Sequence, residues 1–287
     1  PSPCPLSPPP QPSPTRGEGA FVIEIHQGTT RAALEQARAA GTVRDSRLVC
    51  PHCGESTPMT AIRGDRRGQT TEYGLRLWEN EDLVPRPDDV FQERLYCIRW
   101  VHTWIDDEGK AQRERYYRAP DDNDLRREVR VLKLLQERFA EWQAKGYIPS
   151  RRIEPGDETT RLMRERGWTH WHHLFTSRQL LYHGQLTEDL FKQNLPQEVF
   201  VSCILSIGRC SDWNARLSRW MSGAINEGGS PVFSNQALNT LLNFSVRPLP
   251  KLTPAWFFDI KNYSTHRNSN IQTLDGREIQ KDCDFWI

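Results

Sequence analysis

Arg166-Gly-Trp-Thr-His-Trp-His-His-Leu-Phe-Thr-Ser-Arg-Gln-Leu-Leu181 crowds two Trp and three His into a short polar-aromatic segment that leads directly into a helix start. Thr176 has the hydroxyl that caps a helix, and Leu180, Leu181, Leu190 and Phe191 supply the apolar positions that follow. His170, His172 and His173 invite a metal or acid-base reading, because a His-x-His-His loop can place two imidazoles on one ion. No carboxylate falls within the block, and the aromatic neighbours favour packing. Arg178 and Gln179 sit in the first turns of the helix. Both side chains make bidentate contacts with phosphate or base edges, so they are the candidate DNA contacts.

Downstream, Pro196 stands where it favours a helix start. The spacing of Val199, Cys203, Ile207, Cys210, Leu217 and Trp220 predicts one stripe running to Met221. Ser234 begins a shorter helix through Leu238, Leu241 and Leu242, and Cys283-Asp-Phe-Trp-Ile287 reads as an apolar strand. An apolar strand left at a chain end exposes an aggregation-prone edge, which suggests truncation.

Upstream, Val129, Leu132, Leu135, Phe139 and Trp142 recur every three or four residues between acidic start signals at 121–124 and a stop at Gly146. This predicts an amphipathic helix. Before it, Arg94 to His102 alternates like a strand, with Tyr116-Tyr-Arg118 as hairpin partner across a turn at Asp106-Asp-Glu-Gly109. Ala32 to Ala40 predicts a short helix, and Phe21-Val-Ile-Glu-Ile25 a short strand. Residues 1–20 are Pro-rich, too poor in apolar surface to offset the entropy of ordering, and are expected to be disordered.

Between these lies Cys50-Pro-His-Cys53-Gly54, preceded by a strand-like run. That is the knuckle of a zinc ribbon, since a two-residue gap lets both sulfurs reach one tetrahedral ion. Zinc wants four ligands, and Cys97 and His102 are the internal candidates for the other two. Cys203, Cys210 and Cys283 sit among apolar residues and read as core thiols.

The 287 residues carry 38 basic and 37 acidic side chains, leaving a net charge of +1. That balance does not advertise a nucleic-acid binder, although it is compatible with a local basic face. No apolar run approaches the roughly 18 residues that cross a bilayer, and no signal-peptide layout opens the sequence. Seven Cys, an odd number with one Cys-x-x-Cys, suit a reducing cytoplasm better than a disulfide framework. The expectation is a soluble cytoplasmic chain with no membrane partner.

Trp171-x-x-Leu-Phe-Thr-x-Arg-Gln-Leu-Leu181 resembles the central block of bacterial adenine-specific DNA methylases that contain a zinc ribbon, of the type found near phage-defence genes. Asn214, Leu217, Arg219 and Trp220 are similar to a second segment of those enzymes, N-x-x-L-x-R-W, and the likeness extends from about Phe21 to Ile287. The resemblance implies an S-adenosylmethionine-dependent methyltransferase of adenine in DNA, with DNA and other phage-defence proteins as candidate partners. Such enzymes hold the cofactor at the carboxyl ends of a doubly wound sheet and turn the target base out of the duplex. They also carry a glycine-rich cofactor loop and an Asp-Pro-Pro-Tyr motif, and this sequence contains neither. Their upstream Cys-x-x-Cys is replaced here by the Pro-rich tract, a departure that bears on the zinc site.

The expected fold class is therefore an α+β fragment: a zinc-ribbon-like β region followed by a mainly helical region, flanking part of a doubly wound α/β methyltransferase sheet. The expected divisions are a disordered tract (1–20), a ribbon-like β insertion (21–120), an amphipathic helix and linker (121–160), a helical region (161–270) and a truncated strand entering the catalytic core (271–287). Zinc on Cys50, Cys53 and Cys97 is the expected cofactor, with S-adenosylmethionine bound in the intact parent alone. On this reading no residue of the chain is catalytic. The rival expectation is a non-catalytic zinc-ribbon adaptor for nucleic acid or protein.

Overall fold

The computed structural model describes residues 24–26, 30–64, 73–222 and 227–232. Within them the chain is mixed α+β, with small antiparallel sheets and six α-helices. The expected Pro-rich tract, the helix from Ser234 and the strand at residues 283–287 lie outside the described residues, as does most of the expected strand at 21–25, whose Glu24 and Ile25 are not in a strand.

Helix α1 (Arg31–Ala39) is capped by the Thr30 hydroxyl, which accepts from the Ala33 amide at 3.2 Å. Strands β1 (Val43–Arg44), β2 (Arg47–Val49) and β3 (Ser56–Pro58) follow as an antiparallel sheet in that order, and α2 (Met59–Ile62) completes this section. Strands β4 (Ile98–Ile105) and β5 (Ala111–Arg118) pair in register from Ile98 opposite Arg118 to Ile105 opposite Ala111. The hairpin turn falls where the sequence places it. Asp106 accepts from the Lys110 amide at 2.8 Å and from the Glu108 amide at 3.1 Å, a side chain closing its own turn. The first strand starts four residues later than alternation suggests and runs on to Ile105.

Helix α3 (Asp122–Ala144) opens on a capping box, in which Asp121 accepts from the Asp124 amide at 2.9 Å and Asp124 accepts from the Asp121 amide at 3.2 Å. Leu135, Phe139 and Trp142 are buried as the periodicity requires, but Val129 is 69% exposed, so the buried stripe begins a turn later. Helix α4 (Thr159–Arg166), a 3-10 turn (Trp171–Leu174), α5 (Ser177–Phe191) and α6 (Gln197–Trp213) complete the helical part. None of the described helices is long and apolar enough to cross a membrane.

The expected helix to Met221 stops at Trp213. Asn214 ends it by donating its side-chain amide to the Cys210 carbonyl at 2.9 Å, which removes an acceptor from the helical ladder. Leu217 is buried, but from an irregular turn rather than a helix. The chain then enters β6 (Arg219–Ser222), antiparallel to β7 (Glu227–Ser230).

Among the described residues two apolar clusters form the core. One gathers Trp78, Ile153, Leu162, Trp168, Leu174 and Leu217; the other gathers Leu83, Leu135, Phe139, Trp142, Ile148 and Leu180. Phe175 packs against both. Helix α3 packs on α5, and α5 on α6. The α3–α5 approach depends on Gly184, where an added Cβ would lie 2.3 Å from the Trp142 ring. Gly184→Ala should therefore destabilise by about 1–2 kcal/mol, because overpacking outweighs the helix propensity gained. Thermal unfolding would show a fall of several degrees, and an unchanged or raised midpoint would mean that the helices are not in close contact there.

Candidate functional site

Residues 73–93 have no regular secondary structure, yet Leu75, Trp78, Asp82, Leu83 and Asp89 are buried. This strap is held by charge. Arg76 reaches Asp82 at 2.6 Å and Asp89 at 2.7 Å, and Arg86 reaches the other oxygen of Asp82 at 2.7 Å. The same carboxylates cap backbone turns, with Asp82 accepting from the Glu79 amide at 2.7 Å and Asp89 from the Arg86 amide at 2.8 Å. Burial opposes ionisation of Asp82, but the hydrogen bonds from Arg76, the Glu79 amide and Arg86 hold its carboxyl below the usual range.

The strap closes over the Trp-His block. Gly167 ends α4 at φ 76°, and its carbonyl accepts from the Trp78 amide at 2.8 Å. An added Cβ there would meet the Arg76 carbonyl oxygen at 2.2 Å. The Thr169 hydroxyl donates to the Trp78 carbonyl at 2.5 Å. His173 accepts at Nδ1 from the Thr169 amide at 3.1 Å and the His170 amide at 3.2 Å, and Nε2 faces the Glu79 carbonyl at 3.0 Å. Those partners assign the neutral ring with its proton on Nε2.

His172 is fully buried edge-on to Phe139, with Nδ1 3.4 Å from the Gln143 amide nitrogen. Burial, then the neighbouring imidazoles, pushes His172 down to about 4 and His173 down to about 2. Burial alone lowers His183, on α5, to about 4. Both nitrogens of His173 are engaged, so it has no lone pair to offer a metal.

Arg216 completes the arrangement, and nothing in sequence periodicity marked it. The side chain is 2% exposed. It donates to the His173 carbonyl at 2.6 Å, to the Leu83 carbonyl at 3.2 Å and to Glu93 at 3.1 Å, and it lies over the Trp78 and Trp168 rings. The one available signal was its position inside the Asn214 to Trp220 segment singled out by resemblance.

The two candidate DNA contacts are engaged within the protein. Gln179 is 1% exposed and forms the capping box of α5, accepting from the Thr176 amide at 2.9 Å. It presents no surface to a nucleic acid. Arg178 pairs with Glu128 at 2.5 Å and ties α5 to α3, remaining part-exposed. The segment that reads as a bidentate contact reads equally as a cap, and the cap is what forms.

Cys50 and Cys53 sit on the knuckle between β2 and β3, where the Cys50 amide donates to the Glu55 carbonyl at 2.8 Å and the Gly54 amide to the Cys50 carbonyl at 2.9 Å. Cys50 is half-buried and Cys53 exposed. Cys97 is half-buried just before β4, its thiol pushed up by burial, and His102 stacks on Trp104 at 5.0 Å between ring centres. Among the described residues no group of three or more His, Cys, Asp or Glu is placed to hold a metal ion. The structure does not gather Cys97 with Cys50 and Cys53.

The buried imidazoles make stability depend on pH. In the unfolded chain each His titrates near 6.5, while folded His172 and His183 titrate at about 4 and His173 at about 2. The unfolded state binds more protons through that window. Stability is complete above pH 6.5 and falls as pH drops towards 4, by about 1.4 kcal/mol per unit for each ring. Urea unfolding between pH 7.5 and 5 should show a falling midpoint below pH 6.5, and a flat profile would mean that the rings are open to water. No family model, curated protein or solved structure matches the chain.

Proposed function

We propose that the chain is part of an S-adenosylmethionine-dependent DNA adenine methyltransferase and contributes a DNA-engaging scaffold rather than the reacting groups. The observation that carries this reading is the use made of the resembling block. Trp171, Leu174, Phe175 and Leu180 pack in or against the two clusters, while Thr176, Gln179 and Arg178 cap and tie α5. A block used in this way positions elements around a site formed elsewhere. The sequence also lacks both the glycine-rich loop and the Asp-Pro-Pro-Tyr motif that would bind cofactor and the target amine.

On this reading the partner is DNA, the setting is a cytoplasm that keeps the thiols reduced, and other phage-defence proteins are further candidate partners. Zinc would bind Cys50 and Cys53, its remaining ligands lying beyond the described residues. A second reading, a zinc-ribbon adaptor without catalysis, is favoured by the β2–β3 knuckle, whose neighbours in α1 and β1 contribute nothing to either core cluster.

An assay with radiolabelled S-adenosylmethionine and unmethylated DNA should give no methyl transfer by this chain alone. Turnover would overturn the scaffold assignment.

A further inference from the structure

Strands β4 and β5 form a ribbon that is exposed along nearly its whole length. Alternation and register sort its side chains onto two faces. One face carries Trp100, His102 and Trp104 opposite Tyr116, Glu114 and Gln112. Its rings are occupied with one another. Trp100 stacks on Tyr116 with 12° between planes and lies beneath the Arg118 guanidinium, and His102 stacks on Trp104.

The other face carries Arg99, Val101, Thr103 and Ile105 opposite Tyr117, Arg115, Arg113 and Ala111, and so has three arginines and no carboxylate. Arg113 and Arg115 are exposed and have no ion-pair partner among the described residues. Elsewhere Arg76, Arg86, Arg178 and Arg216 are each matched to an acid. Val101 and Ile105, 41% and 66% exposed, add apolar surface beside the arginines.

We propose that the Arg99–Arg113–Arg115 face of this ribbon binds double-stranded DNA, lying lengthwise in the major groove with Arg113 and Arg115 on phosphates. The proposal rests on the DNA reading above and locates its surface. Charge selects a polyanion, since a near-neutral chain presents here a face without a single acid. Shape selects a groove, because a two-stranded ribbon is one of the elements the major groove admits. Residues two apart on a strand are about 6.8 Å apart, close to two base-pair steps. The acids at the hairpin tip keep that end out of the groove. Asp106 is held by its own turn, Glu108 pairs with Lys110 at 2.6 Å, and Asp107 lies between them.

The test is fluorescence anisotropy of the full chain with a labelled mixed-sequence duplex of about two helical turns, titrated with NaCl. Arg113→Ala/Arg115→Ala should bind about tenfold more weakly and reduce the slope of log affinity against log salt by about two. Thr103→Asp on the same face should also weaken binding. Arg130→Ala, an exposed arginine on α3, should not. Unfolding midpoints should match the unsubstituted chain, as the side chains changed on the ribbon are exposed. Failure of the unsubstituted chain to bind duplex at low salt would overturn the DNA reading itself. Binding unchanged in both ribbon variants would overturn this surface alone. Tighter binding to a single strand, or self-association lost in Arg113→Ala/Arg115→Ala, would overturn the duplex assignment.

Discussion

A guanidinium with 2% of its surface exposed must find protein partners for its charge and its donors, and Arg216 finds them on two other pieces of chain. Glu93 supplies the opposite charge, the His173 and Leu83 carbonyls accept from its nitrogens, and Trp78 and Trp168 cover it. The strap, the Trp-His block and the turn after α6 are thereby fixed to one another. Arg216 is buried while Glu93 keeps part of its surface in water, so removing the acid would leave the guanidinium with carbonyl partners alone and destabilise the fold. The irregular strap has no ladder of its own, so its position depends on this contact and on the Arg76–Asp82–Asp89 network.

The neighbouring imidazoles are held neutral chiefly by burial, with a smaller contribution from the same guanidinium. Beside a buried cation a second positive charge is unfavourable, and Arg216 contributes to the lowering of both His172 and His173. A neutral ring can accept at Nδ1 and donate at Nε2, and His173 does both with backbone groups of the block and the strap. The segment richest in chemically capable side chains is thus engaged in holding the fold. Arg113 and Arg115, exposed cations that a ligand could meet, lie elsewhere, on the β4–β5 ribbon.

What could be read from sequence was local. Asp121 and Thr176 cap helices where their residue types predict, and the Asp106 turn closes the hairpin, because each signal acts within three or four residues. The end of α6 was misread because Leu217 continues the helical spacing after Asn214 has turned the chain. Val129 keeps the period of α3 but is left exposed, the buried stripe being Leu135, Phe139 and Trp142. The strap left no pattern at all, since its order comes from ion pairs between irregular residues. Gln179 and Arg178 were ambiguous in principle: the groups that recognise phosphate also cap helices and pair with acids, and only tertiary position decides. The metal set posed the same problem, for spacing identifies Cys50 and Cys53 as a pair but cannot say what approaches them.

The central claim is that the Trp-His block is structural, its His172 and His173 rings neutral and sealed. Two-bond proton–nitrogen NMR of the histidine rings between pH 7.5 and 5, with and without zinc, tests it directly. The account predicts His173 in the Nε2-protonated neutral form, with neither His172 nor His173 titrating or shifting on addition of metal. Titration of either ring near pH 6.5, or a zinc-dependent shift, would contradict it and restore the block as a chemical site.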